Sequence, residues 1–280
     1  MKKIATLLVC YLLQNTISFA QTDTTKSPWK HTIVSGLNLS QVAYKDWTQG
    51  GENSLAWTVS IDGKSEQEHE KTLWTNNYKF AFGQTKIGNQ EIRKTEDKID
   101  LESVFIYKMG TYINPYVAAT LKTQFAKGYD YSATPTKEVS QFFDPAYLTQ
   151  SAGLGYQPFA ELKTRLGLGV REIITSQFTS YADDPATLKV EKTKVEGGIE
   201  SVTNLELKLD DNILFTSKLE LFDAFSKLDE VIVRSDNTFA AKVSKYIVVN
   251  LNIQLINERA SSPRTQIKES LSLGLSYTLL

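Results

Sequence analysis

The chain has 280 residues and a single cysteine, Cys10, so no disulfide can form within it. It has two histidines, His31 and His69, too few and too far apart for a His-rich metal site. Neither charge sign dominates: 31 Lys and Arg stand against 32 Asp and Glu. That balance gives no electrostatic reason to expect nucleic-acid binding. Beyond the first twenty residues, no segment approaches the roughly 18 consecutive apolar residues of a transmembrane helix. Helical periodicity is almost absent as well. By composition alone the chain looks like an ordinary soluble domain, and the order of its residues says otherwise.

Residues 1–20 read as a secretory signal. Lys2 and Lys3 precede the apolar run Ile4–Leu13, and Ser18-Phe19-Ala20 presents small residues at the two positions a signal peptidase inspects. The expected cut lies between Ala20 and Gln21. A buried N-terminal helix is the rival reading. A lipoprotein reading of Cys10 fails because Leu7-Leu8-Val9 lacks the small residue expected before a lipidated cysteine. Cleavage therefore removes Cys10, and loss of Lys2 and Lys3 moves the formal charge from −1 to −3. Residues 21–31 form a polar tail, and 32–280 form one domain.

In that domain apolar and polar residues alternate again and again. From Ile267 to Leu279 the odd positions read Ile, Glu, Leu, Leu, Leu, Tyr, Leu, and the even ones Lys, Ser, Ser, Gly, Ser, Thr. Leu166, Leu168 and Val170 oppose Arg165, Gly167, Gly169 and Arg171 in the same way. Period 2 is the signature of a strand with two unlike faces. Twelve strands are predicted, over 32–43, 54–65, 71–84, 95–108, 112–125, 148–157, 159–173, 191–209, 212–225, 229–244, 246–258 and 266–280. Most reach the roughly 9–11 residues needed to cross a bilayer at a tilt.

Every other connection is short, and most of the others are long. This rhythm in an even-stranded meander fits an all-β, transmembrane, antiparallel up-and-down β-barrel of about twelve strands. The short turns are then periplasmic and the longer loops extracellular, in the outer membrane of a Gram-negative cell. A soluble sandwich or lipocalin-like barrel also alternates, with its apolar face inward. Three features favour the membrane barrel. The strands are long for a sandwich. The polar face carries charges of both signs deep within strands. Aromatic residues gather near strand ends at Tyr107, Tyr112, Tyr156, Phe159, Phe222, Phe225 and Tyr246, as in interfacial girdles.

Several short motifs lie in order along the chain: Trp47-Thr48-Gln49-Gly50-Gly51-Glu52-Asn53-Ser54, Arg93-Lys94-Thr95-Glu96-Asp97, Thr123-Gln124-Phe125-Ala126-Lys127-Gly128-Tyr129-Asp130-Tyr131, Phe142-Phe143-Asp144-Pro145-Ala146-Tyr147 and Gly153-Leu154-Gly155-Tyr156. In these the chain resembles an uncharacterised Bacteroidota outer-membrane barrel family, domain of unknown function 3078 (DUF3078), from about residue 30 onward. Asp144 stands where the family pattern suggests a smaller residue. The resemblance implies a barrel in the outer membrane and brings no activity, so no catalytic residue is carried over.

Three constellations merit attention as sites. The predicted lumen face carries Lys79, Lys122, Lys163, Arg165, Arg171, Lys208 and Arg234 against Asp100, Glu102, Glu161, Glu200 and Glu206. Such a balanced set suits either cross-lumen salt bridges or a path for a polar solute. The Trp47–Asn53 loop offers Glu52 and Asn53 as ligand contacts and Trp47 as an anchor, against the plainer reading of a glycine hairpin. The 126–147 loop, with Tyr129, Asp130 and Tyr131, reads as a lid, as a constriction, or as a self-packed outer loop. Asp130, Asp144, Asp183 and Asp184 follow no calcium-loop spacing. Both histidines fall on the expected periplasmic side, away from any Ser–His chemistry at the outer rim.

The leading expectation is a barrel that binds or passes a small solute through a mixed-charge lumen gated by outer loops. The alternative is a closed structural or interaction barrel, and a carboxylate-based hydrolase stands behind both. No enzyme activity, cofactor or metal is expected. The expected partners are outer-membrane lipid, the barrel assembly machinery and a small solute, with no nucleic acid. The chain ends in Leu280 rather than the usual aromatic assembly signal, with Tyr277 three positions earlier.

Overall fold

The computed structural model describes residues 29–45, 48–184, 186–259 and 262–278. The signal segment, Cys10, most of the 21–31 tail, Trp47 and the two C-terminal leucines lie outside the described residues.

The strands are β1 (Lys30–Val42), β2 (Ser54–Glu68), β3 (Thr72–Ile87), β4 (Arg93–Tyr107), β5 (Ile113–Thr123), β6 (Gly128–Asp130), β7 (Lys137–Ser140), β8 (Ala146–Phe159), β9 (Leu162–Ile174), β10 (Thr193–Asp210), β11 (Ile213–Ala224), β12 (Ile232–Lys242), β13 (Ile247–Asn257) and β14 (Gln266–Thr278). Twelve of them close into one antiparallel barrel in the order β1-β14-β13-β12-β11-β10-β9-β8-β5-β4-β3-β2. Each of the twelve predicted strands corresponds to one barrel strand. β6 and β7 pair only with each other and form a small hairpin inside the 126–147 loop. No helix among the described residues is long and apolar enough to cross a membrane.

Register decides which face each residue takes. Asp62 pairs with Lys79, Lys79 with Asp100, Asp100 with Lys122, and Lys122 with Tyr147. Residues paired directly across a ladder share a face, so these five point into the lumen together. Their neighbours point out. Leu37, Leu39, Val59, Ile61, Val117, Leu154, Leu166, Leu168, Leu271, Leu273 and Leu275 are all exposed on the outer surface. A continuous apolar surface of this extent around a closed barrel would be a severe liability in water and is the surface that lipid covers.

Every connection at one end is short: residues 69–71, 108–112, 160–161, 211–212 and 243–246; at the other end only 88–92 is as short. Exposed Tyr107, Tyr112, Tyr156, Phe159, Tyr246 and Tyr277 ring the short-turn end, and Tyr246 stacks on Tyr277 at 6.5 Å. His31 and His69 lie here too, with the His31 ring 2.8 Å from the Ser65 hydroxyl. Phe222 departs from the expected girdle. It is buried and faces the lumen, its ring lying over Gly198 and Gly169, where a Cβ would sit 2.9 and 3.4 Å from ring carbons. Two inward glycines leave the hollow that the ring fills, so an aromatic near a strand end was drawn inward.

Candidate functional site: a lumen crossed by ion pairs

A twelve-stranded barrel is wider than the eight-stranded barrels whose interiors side chains just fill. Its lumen must therefore be wet or spanned by long side chains. Here, around mid-height, it is spanned. Glu102 on β4 accepts from Arg165 on β9 at 2.8 Å and from Lys218 on β11 at 3.0 Å. Lys218 also reaches Glu220 at 3.0 Å, and Glu220 hydrogen-bonds Lys122 on β5, which stands 4.0 Å from Asp100. Lys98 on β4 meets Asp236 on β12 at 3.1 Å, from the opposite side of the barrel. Ser151 donates to Glu200, whose carboxylate stands 3.9 Å from the Arg165 guanidinium.

A second knot sits toward the long-loop end. Glu258, just past β13, accepts from Arg171 at 2.5 Å and from Arg234 at 2.8 Å. Both guanidiniums also lie over the ring of Tyr147, at 5.3 and 5.0 Å. Burial pushes the Glu258 carboxyl up, but Arg171 and Arg234 outweigh it and hold its pKa at about 2. A carboxylate clamped between two arginines stays ionised across all physiological pH.

Removing charges from water is costly, and the pairs offset that cost only when their geometry is good. Most of these bonds are short and charge-assisted, the strong class. A cavity of about 50 Å³ remains among Lys122, Tyr147, Arg171, Glu220 and Arg234. Toward the short-turn end the lumen widens into a cavity of about 540 Å³. Its wall is of another kind: small and polar Gly36, Asn38, Ser60, Asn250, Gly274 and Ser276, aliphatic Val34, Leu214, Ala240 and Val248, and the charges of Asp62, Glu206, Lys208 and Lys242.

The twelve lumen candidates therefore divide. Asp100, Glu102, Lys122, Arg165, Arg171, Glu200 and Arg234 join the ion-pair layer. Lys79 faces the lumen opposite Asp62 and Asp100 in register. Glu206 and Lys208 line the large cavity, and Lys208 holds Asp211 at 2.9 Å at the rim. Glu161 sits in the β8–β9 turn and Lys163 at the start of β9, both at the short-turn rim. Sequence reasoning missed Lys218, Glu220, Lys98 and Glu258. Lys218 and Glu220 share the parity of Phe222 and alternate with Leu219 and Leu221, so the pattern did contain them. Glu258 continues the inward parity of Gln254 and Ile256 past the strand end.

The loop candidates build the long-loop rim. Asn53 accepts a hydrogen bond from the Tyr44 backbone at 2.6 Å through its side chain, and from the Gly88 backbone at 2.7 Å through its carbonyl. Glu52 lies against Gly88, whose φ of 54° and lack of a side chain allow the approach. Asp97 accepts from the backbone of Phe125 at 2.7 Å, from that of Ala126 at 2.9 Å, and from Lys94 at 2.7 Å. Arg93 lies 4.5 Å over the Tyr131 ring, Tyr131 packs on Tyr129, and Asp130 accepts from Ser132. Buried Asp144 accepts from the Gln177 backbone at 2.7 Å and so ties this loop to the next long one. Described residues of the first four motifs are thus parts of one packed rim, whereas Gly153-Leu154-Gly155-Tyr156 lies in β8 toward the short-turn end. No residue of the 126–147 loop before Tyr147 enters the cross-lumen ion pairs among the described residues. The constriction is made by strand side chains and Glu258 rather than by that loop.

Fold and site together define a membrane β-barrel with an ion-paired lumen. Residues 39–129, which include most of the rim motifs, match the family described as Protein of unknown function (DUF3078). No curated protein matches the chain. Among solved structures, the translocator domain of the autotransporter NalP from Neisseria meningitidis is similar at 11% identity and a TM-score of 0.39, covering 99% of this chain and 97% of that one. The NanC porin is similar at 8% identity and a TM-score of 0.40, over 89% and 100%. The CymD monoaromatic hydrocarbon channel is similar at 9% identity and a TM-score of 0.34, over 91% and 88%.

Proposed function

We propose that the protein is an outer-membrane barrel, exported by a cleaved signal, that binds a small polar solute from the short-turn side and holds its lumen shut in the resting state. The short turns face the periplasm and the long loops the outside. The contrast between a cavity of about 540 Å³ below the ion pairs and about 50 Å³ among them carries this reading. A void of 50 Å³ has room for a few waters at most. The larger one suits a small molecule; its amides, hydroxyls and charges of both signs suit a polar or zwitterionic group, and Val34, Leu214 and Val248 offer apolar contacts beside it. Passage across the membrane requires the ion pairs to exchange partners.

Planar-bilayer recording tests the closed lumen. The wild-type protein is expected to show no steady conductance, and the double variant Glu102→Ala, Glu220→Ala to show one. A large ohmic current from the wild type would overturn the proposal. The same ion pairs favour a second reading, a closed barrel whose outer loops meet partners. Labelling a cysteine at Asn250 with a small hydrophilic thiol reagent separates the two. Rapid labelling supports an open binding cavity, and a shielded cysteine supports the closed barrel.

A further inference from the structure

One seam of the barrel is incomplete. β1 pairs with β2 along its whole length, from Lys30↔Glu66 to Val42↔Ser54. With β14 it pairs only from Val34↔Thr278 to Asn38↔Gly274. The same register carried four residues further would join Leu39, Ser40, Gln41 and Val42 to Leu273, Ser272, Leu271 and Ser270. Those pairs are not formed, and the ladder stops roughly 13 Å short of the end of β1. A closed membrane barrel normally leaves no such edge, because unpaired backbone groups in hydrocarbon are costly.

The two sides of this gap differ in chemistry. Leu37, Leu39, Leu271 and Leu273 are exposed on the lipid side. Ser40, Ser270 and Ser272 have the inward parity, and Ser40 and Ser270 are exposed. Asn38 and Gly274, the last pair before the gap, line the large cavity, as does Asn250, which pairs with Ser272. The foot of the gap is therefore part of the cavity wall.

We infer that the β1–β14 seam is a lateral opening between the lumen cavity and the bilayer, through which an amphiphile lodges its polar head in the cavity while its acyl chain stays in lipid. This rests on the membrane placement and the binding cavity proposed above. For the cavity's occupant it replaces a soluble solute entering at the short-turn side with a molecule that has one polar end and one acyl end and enters from lipid. Leucines outside and serines and asparagines inside suit such a molecule along its length. A soluble polar solute needs no gap toward lipid.

Site-specific photocrosslinking in vesicles of phosphatidylethanolamine and phosphatidylglycerol tests the inference, with adducts identified by mass. A photoreactive residue at Leu271 reports contact with lipid from outside, and one at Asn250 reports entry into the cavity. Acyl-chain adducts are expected at both positions. Bridging Ser40→Cys and Ser272→Cys with a short bismaleimide is expected to lower the Asn250 yield about tenfold and to leave the Leu271 yield unchanged. Adducts at Leu271 without any at Asn250 would overturn the lateral opening and leave the membrane barrel standing. No adducts at Leu271 would overturn the membrane placement and the inference with it. An Asn250 yield that bridging does not change shows entry by another route and overturns the seam.

Discussion

On the wall formed by β4, β5 and β8–β12, the inward positions carry Asp100, Glu102, Lys122, Arg165, Arg171, Lys218, Glu220 and Arg234. On the wall formed by β13, β14 and β1 they carry Asn250, Asn252, Ser272, Gly274, Ser276, Val34, Gly36 and Asn38. Both walls obey the same two-residue alternation, and both turn most of their large apolar side chains to the outside. The difference is reach. Long charged side chains cross the lumen and meet, so the first wall folds onto itself through ion pairs. Short side chains cannot cross, so this part of the second wall borders a cavity, whereas Lys268, inward on β14, does cross and pairs with Glu96 on β4. Alternation sets which face is wet, and side-chain length sets whether that face is filled.

The strongest test of this contrast is Glu102→Ala. Glu102 is buried and serves Arg165 and Lys218 at once. Its loss leaves two cations short of their shared partner at a site with little access to water. Breaking a buried pair from one side costs about 3–5 kcal/mol. The expected outcome is a clear drop in the urea midpoint of the detergent-solubilised barrel, and Glu102→Gln should show most of the same drop. A loss below about 1 kcal/mol would mean that the ion pairs are dispensable and that the two walls differ less than their contacts suggest.

Glu258 gives the next effect, and it depends on pH. Its folded pKa of about 2 lies below the ordinary 4.5. A depressed carboxyl pKa contributes stability that is complete above the unfolded value and is lost as pH falls through the folded one. The shift corresponds to roughly 3 kcal/mol. The wild-type protein should therefore lose its advantage over Glu258→Gln as pH falls from about 5 to about 2, read from unfolding midpoints at each pH. A constant difference across that window would place the origin of the effect elsewhere.

The contrast extends to the rim, where the loop over the charged wall is tied down by Asp97. Replacing Asp97 with Asn removes the charge that Lys94 and two backbone N–H groups share. A loss of about 1–2 kcal/mol is expected, confined to the loop. It should appear as faster protease nicking within 126–145 with an unchanged global unfolding midpoint.

How much of this was legible depended on whether a feature is local. Strand parity is local, so the twelve strands and the inward placement of Arg165, Arg171 and Glu200 could be read directly. Cross-lumen partners are set by register and barrel closure, so nothing near Glu102 in sequence announces Lys218. Phe222 misled because an aromatic near a strand end fits either face, and the space that drew it inward comes from Gly169 and Gly198 on two other strands. The β6–β7 hairpin was missed because three- and four-residue strands are too short to show a period. The incomplete seam was invisible for the opposite reason: β1 and β14 keep a regular pattern past the point where they part.

The smallest effect should come from the small-residue wall. Asn250 lines the large cavity and pairs with Ala240 and Ser272, which have short side chains. Asn250→Leu adds an apolar side chain where there is free volume and no ion pair to break, so stability should change by no more than about 0.5 kcal/mol. Binding should respond differently from folding. A leucine there narrows the cavity and removes one amide from its polar lining, so thiol labelling of a cysteine at neighbouring Asn38 should slow several-fold. If Asn250→Leu instead destabilised the barrel as strongly as Glu102→Ala, the cavity would be a packed core in another form. An unchanged folding midpoint with slowed labelling would fix its role as open space that a ligand can use.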